Sequence, residues 1–183
     1  MAPLRVCGLI FENFELLDYF GPVESFAIVN ALVQMRDAQS LSTEEDKMKF
    51  LKSSPAQIQF DEVAPRLRPV EVTTVTCNDV HKTVSTGVPV TVQADATIEE
   101  AKGTDFDLII IPGGLGCRIM TDEHFERFRD FVLTQHARGC IVASVCTATL
   151  LLARCDLLRH RRATTNKGHF QMIKDLIEQH CDG

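Results

Sequence analysis

The sequence predicts an α/β fold, a three-layer sandwich in which a mostly parallel sheet is covered by helices on both faces. Three observations lead there. Short, continuously apolar runs, such as LIII within 107–111 and IVA at 141–143, suit strands buried on both sides. Stretches with apolar residues at helical spacing alternate with these runs. Several junctions carry glycine or proline, as in Pro112-Gly113-Gly114. At 183 residues the chain is expected to form one domain with room for a core, and 45% of it is apolar. A net charge of −6 and a pI near 5.5 speak against a nucleic-acid partner. No apolar run is expected to cross a bilayer. The first residues read as a strand rather than a signal peptide. Seven cysteines, an odd number without framework spacing, fit a reducing, cytoplasmic compartment. No CxxC or HxxxH pair suggests a metal site.

The elements follow in order. Residues 4–11 form an apolar strand, and 14–19 a short turn of helix. Pro22 opens an amphipathic helix over 23–33, because proline is tolerated in a first helical turn. Residues 36–69 are charged and punctuated by Pro55, Pro65 and Pro69, and read as a surface insertion too long for an ordinary connector. Within it, Ser42 to Glu45 resembles a capping box before a short helix that turns Met48 and Leu51 inward. Strands follow at 70–77 and 88–92, then a helical turn at 98–102 and a strand at 107–111. Residues 122–138 place Phe125, Phe128, Phe131 and Val132 on one helical face. A strand at 141–143 runs into a helix at 147–153. A short strand at 162–165 and an amphipathic helix at 169–177 complete the chain.

Cys146 lies where the 141–143 strand turns into a helix. Such a turn pushes its residue toward solvent in a strained conformation. The sulfur then faces the amides of the helix start, which favour an anion. This is the cysteine counterpart of the serine nucleophile elbow, and a buried core cysteine is the local alternative. Sites on open parallel sheets lie at the carboxyl ends of the strands. Two further loops meet Cys146 there. Gly113 and Gly114 allow the backbone to turn amides toward the sulfur, so the amides of Gly114 and Leu115, with that of Thr147, are expected to form an oxyanion hole. The loop after the first strand brings Asp18, which against a thiolate would hold a proton and donate a hydrogen bond to the sulfur, as suits an acid that shuttles one proton. Helix capping is the alternative for Asp18, and Glu15 and Glu24 compete for its role.

Taken together, residues 5–31 (LLDYFGPVESF), 107–116 (DLIIIPGGLG) and 141–166 (SVCTATLLL…RRATTN) resemble the ThiJ/PfpI (DJ-one/PfpI) superfamily. The resemblance implies a flavodoxin-like, class I glutamine amidotransferase-like fold. The motifs are most similar to the isonitrile hydratase branch. That implies Cys146, Thr147 and Asp18 as catalytic residues, hydration of a small isonitrile to an N-substituted formamide, and no metal or organic cofactor. It also implies a homodimer through the helix from Asp18 to Val33, with Tyr19 and Phe26 as candidate contacts. A thiol-based redox sensor, a glyoxalase or deglycase, and a ligand-sensing domain like those of AraC-type regulators are the alternatives. Two departures stand out. Asn166 occupies a position where many relatives carry histidine, so a Cys–His dyad is not expected, and His169 is expected to cap or face solvent. The chain also stops earlier than relatives usually do, so an exposed apolar face is expected near Ile173 and Ile177.

Overall fold

A computed structural model describes residues 2–38 and 66–180. Five parallel strands form the sheet, in the order β5-β2-β1-β6-β7. They are β1 (Leu4–Ile10), β2 (Val70–Thr76), β5 (Ala96–Thr97), β6 (Leu108–Ile111) and β7 (Ile141–Ser144). β1 is central and fully buried from Val6 to Ile10. It pairs with β2 from Leu4↔Val70 to Ile10↔Thr76, and with β6 from Val6↔Leu108 to Gly8↔Ile110. The chain leaves β1 toward β2 on one side and reaches β6 and β7 on the other. The crevice between the carboxyl ends of β1 and β6 is therefore the switch point, where α/β sheets bind ligands.

Helices cover both faces. On one lies α1 (Leu16–Ala38), whose Phe26 and Val29 pack on Val6, Val70 and Ile110. On the other lies α4 (Asp122–Ala137), with Phe125, Phe128, Phe131 and Val132 in the main core among Cys7, Leu9, Ile109 and Ile111. Thr121 caps α4 by accepting from the His124 N–H. The short α2 (Ile98–Ala101) closes with a reciprocal Thr97–Glu100 capping box.

Two contacts fix α1, and so Asp18, against the sheet. Tyr19 is 2% exposed and its hydroxyl meets Thr74 Oγ1 at 2.7 Å. The Asn30 amide bonds both Val70 backbone groups, donating to O at 2.8 Å and accepting from N at 2.7 Å. Tyr19 fits because Gly8 beneath it has no side chain: a Cβ there would overlap the tyrosine ring.

Several elements differ from expectation. The segments 14–19 and 23–33 are one helix, and Pro22 lies within it rather than in its first turn. The bond that proline forfeits is the one to the Asp18 carbonyl four residues back. The stretch Leu16–Gln34 is long and apolar enough to cross a bilayer by length and composition, contrary to the expectation of no such run, yet here it packs on the sheet. The strand expected at 88–92 is β4 (Thr91–Gln93), paired with an unforeseen β3 (Lys82–Val84). Ser85 Oγ donates to Val88 O and accepts from Val90 N, tying 85–90 into a loop and delaying the strand. Residues 162–165 form no strand. Thr164 O accepts from Thr149 Oγ1 and Thr165 Oγ1 donates to Cys146 O, so side chains replace a ladder. Ile173 is buried and Ile177 half-buried, because α6 (Phe170–His180) packs against α5 (Thr149–Arg154). Of residues 36–69, the ends are described: 36–38 finish α1 and 66–69 lead into β2. The capping box and the Met48 and Leu51 positions lie outside the described residues.

Gly8→Ala is expected to lower stability by about 1–3 kcal/mol, because the buried Tyr19 ring must move. A shift of the urea midpoint to lower concentration with unchanged slope would measure this.

Candidate active site

Cys146 has φ +55°, a left-handed conformation rare for residues other than glycine, which Asn13, Asp156 and His160 also adopt. β7 continues its pairing through Val145 N–H to Ile111 O at 2.9 Å, and Cys146 then starts a 3-10 turn, Cys146–Ala148, that leads into α5. The Cys146 carbonyl is held from the far side by the hydroxyls of Thr165 at 2.9 Å and Thr149 at 3.4 Å. These bonds fix the elbow and leave Cys146 half-exposed.

The loop after β6 is stitched to both other loops. Gly113 N–H donates to Asp18 Oδ2 at 3.1 Å, and Gly113 O accepts from Glu15 N–H at 2.8 Å. Gly114 N–H donates to Thr147 Oγ1 at 3.0 Å, and that hydroxyl reaches back to Gly114 O at 3.4 Å. Gly116, at the start of α3 (Gly116–Ile119), donates to Asn13 O at 3.0 Å. Gly114 has φ +124°, and a Cβ on it would strike the backbone of residues 13–15. These contacts draw the ends of β1, β6 and β7 into one wall.

The sequence-derived site residues take these places. Cys146, Thr147, Asp18, Gly114 and Leu115 all line one cavity of about 430 Å³, and Gly113 lies behind it against Asp18 and Thr147. The Asp18 carboxylate takes the Gly113 amide rather than meeting the sulfur. Gly114 turns its amide to Thr147 Oγ1, so it is not an open oxyanion donor here. The amides of Leu115 and Thr147 donate to no acceptor among the described residues. The Thr147 hydroxyl is engaged with Gly114. Glu15 also lines the cavity, whereas Glu24 is exposed outside it.

The residue that meets the sulfur is Asn166. Its Nδ2 donates to Cys146 Sγ at 3.3 Å. An amide N–H can donate to a thiolate but cannot take its proton. The sequence marks this position only as a missing histidine, and its role as a donor depends on the chain folding back across the elbow. Arg118, His169 and Met172 also line the cavity, and no local motif singles out Arg118 or Met172. His169 is exposed, as expected, but it faces the site. Among the described residues no group of three His, Cys, Asp or Glu side chains is placed to hold a metal ion.

Burial separates Cys146 from the other described cysteines. Desolvation pushes Cys77, Cys117 and Cys155 up to about 12 and Cys140 to about 11, and Cys7 also lies well above its ordinary value. At neutral pH these five are thiols within the core.

With this geometry in view, the comparisons place the chain. Residues 4–182 match the sequence profile of the DJ-1/PfpI family. The chain belongs to that family. Isonitrile hydratase from Pseudomonas putida is 36% identical over 70 residues, a stretch spanning 38% of this chain and 30% of that relative. Among solved structures, oxidized DJ-1 from Toxoplasma gondii superposes with a TM-score of 0.57 at 18% identity, covering 91% of this chain and 68% of that one. An AraC family transcriptional regulator from Pseudomonas putida gives 0.53 at 13% identity, covering 95% and 72%. At such identities the superpositions show a shared fold, the flavodoxin-like arrangement of this family.

Iodoacetamide at neutral pH is expected to label Cys146 and to spare Cys7, Cys77, Cys117, Cys140 and Cys155 in the folded protein, as peptide mapping would show. Removing the sulfur's donor with Asn166→Leu is expected to slow that labelling by roughly three- to tenfold.

Proposed function

We propose that this DJ-1/PfpI protein hydrates an isonitrile to an N-substituted formamide through Cys146. The observation that carries the proposal is a half-exposed cysteine on a strained elbow, facing an amide donor instead of a base. Such a nucleophile suits an electrophile that needs no deprotonated partner beyond the thiolate itself. The partial likeness to isonitrile hydratase points the same way.

The chemistry runs in two halves. The Cys146 thiolate bonds to the terminal isonitrile carbon, and the electron pair of that carbon takes a proton from Asp18, giving a thioimidate. Water then adds to the same carbon, the C–S bond breaks, and the formamide leaves. The amides of Leu115 and Thr147, unpaired among the described residues, are the donors available for charge that develops beside the reacting carbon. Thr147 supports the site by holding the Gly114 backbone. The cavity volume lies toward the small end of ligand sites. Its wall carries Glu15 and Asp18 against Arg118, with apolar Leu17, Leu115 and Met172, so it is not the basic pocket an anionic substrate would require.

A homodimer forms part of the proposal, with a cytoplasmic setting. Tyr19 is a core residue rather than a dimer contact, being bonded to Thr74. Phe26 points from α1 onto the sheet, against Val6, Val70 and Ile110. The apolar residues that α1 presents to solvent are Leu17, Phe20 and Ile28, at 78%, 44% and 55% exposure. Their spacing puts them on one side of the helix, where a second copy would cover them.

A simple alkyl isonitrile is expected to be converted to its formamide by the wild type and not by Cys146→Ser, with the fold intact by circular dichroism. Turnover retained by Cys146→Ser would sink the proposal. Turnover absent from a folded wild type that alkylates at Cys146 would shift the weight to redox sensing. Phe20→Glu is expected to convert dimer to monomer in sedimentation velocity, and an unchanged sedimentation coefficient would count against this face.

A further inference from the structure

The amide that meets the sulfur has a second neighbour. Asn166 Oδ1 accepts from the Gly168 N–H at 2.9 Å and lies 3.4 Å from His169 Nδ1. A backbone N–H can only donate, so the atom it meets is the amide oxygen, and the NH2 group is the end turned to Cys146. The same reasoning extends to the imidazole. Oδ1 has no hydrogen to give, so it meets Nδ1 favourably only when Nδ1 carries the proton. In the neutral ring that leaves the lone pair on Nε2. His169 sits on the turn Lys167–His169 before α6 and lines the cavity that holds Cys146.

The geometry points to His169 as the base that activates water in the second half of the reaction, with Asn166 as its positioning residue. This inference rests on the isonitrile reading above. Once the thioimidate has formed, water bonds through oxygen to its carbon. One water proton passes to His169 Nε2 and from there to the substrate nitrogen. The tetrahedral carbon then expels sulfur, which keeps the C–S electron pair as thiolate and accepts a hydrogen bond from the Asn166 N–H. The hydroxyl proton left on the new carbonyl oxygen returns to Asp18, which gave one up in the first half. Thiolate, imidazole and carboxylic acid are all restored, and the net change is the addition of one water.

The other charged groups on the cavity wall fit this task less well. Arg118 has no lone pair to offer a proton. Asp18 is bound to the Gly113 amide and is the donor of the first half. The Glu15 carboxylate lines the wall with no orienting partner among the described residues, whereas the tautomer of His169 is set by Asn166. A base of this kind supplies about a hundredfold or more in rate.

The test uses the full chain, cyclohexyl isonitrile as substrate, and the variants His169→Ala and His169→Gln. Loss of a second-half base is expected to lower kcat about a hundredfold. The ratio kcat/KM reports the first half and should stay near wild type. The thioimidate on Cys146 should accumulate and appear by intact mass. Iodoacetamide labelling of Cys146 should keep its wild-type rate, and added imidazole should restore part of the turnover of His169→Ala. Unchanged kcat in both variants overturns the base role. So does a fall in kcat/KM and in labelling that matches the fall in kcat, since that pattern describes a structural residue. A folded wild type that neither turns over nor forms an adduct overturns the isonitrile reading itself, and the base role falls with it.

Discussion

Gly113 occupies a point at which a single methyl group does not fit. A Cβ there would lie 2.7 Å from Asp18 Oδ2, 2.8 Å from Thr147 N and 2.8 Å from Thr147 Oγ1. The ends of β1, β6 and β7 approach within van der Waals range only because this residue has no side chain. From that approach follow the Gly113–Asp18 and Gly114–Thr147 bonds, which in turn position the cavity wall. The neighbouring Gly114 and Gly116 repeat the constraint against residues 12–15, so the loop after β1 cannot retreat. The site is a close-packed junction of three loops rather than a gap between them.

The elbow stores strain and the surroundings hold it in place. A non-glycine residue at φ +55° costs on the order of 1–3 kcal/mol. The hydroxyls of Thr149 and Thr165 both bond the Cys146 carbonyl, and the β7 ladder fixes the chain just before it. These anchors come from the helix and the segment that follow the cysteine. The 162–165 segment therefore serves the elbow, and its polar groups are unavailable to form the strand its composition suggests.

Thiol chemistry in this protein is partitioned by burial. Five described cysteines are core side chains that desolvation keeps protonated, and only Cys146 among those described reaches solvent. Cys117 lies beneath the cavity with its sulfur near Pro112 O, so two cysteines close in space differ in accessibility. The same sheet that excludes water from Cys7 and Cys140 delivers Cys146 to its edge. Selectivity among chemically identical groups thus arises from where each strand ends.

Apolar runs and helical spacing were enough to locate β1, β6 and α4, because those elements are buried and burial writes its period into the sequence. The run at 141–143 located β7 as well, but as an edge strand with Ile141 exposed and the rest half-buried, not one covered on both sides as expected. Cys146 and the paired glycines were legible for the same reason: elbows and close approaches demand particular residue types. The boundaries missed at Ser85 and at Thr164 and Thr165 were set by side-chain hydrogen bonds, whose partners no periodicity records, and the one at Pro22 because the helix runs through the proline. Asp18, Gly114, Leu115, Cys146 and Thr147 could be named as cavity residues in advance, but Arg118, Met172 and the partner of the sulfur could not. The sequence alone determined the main strands, the helix faces and the candidate cysteine. Only the tertiary structure turned the Asn166 NH2 to Cys146, set His169 against Asn166 Oδ1 and turned the Gly114 amide to Thr147, because hydrogen-bond direction depends on how loops distant in sequence are brought together.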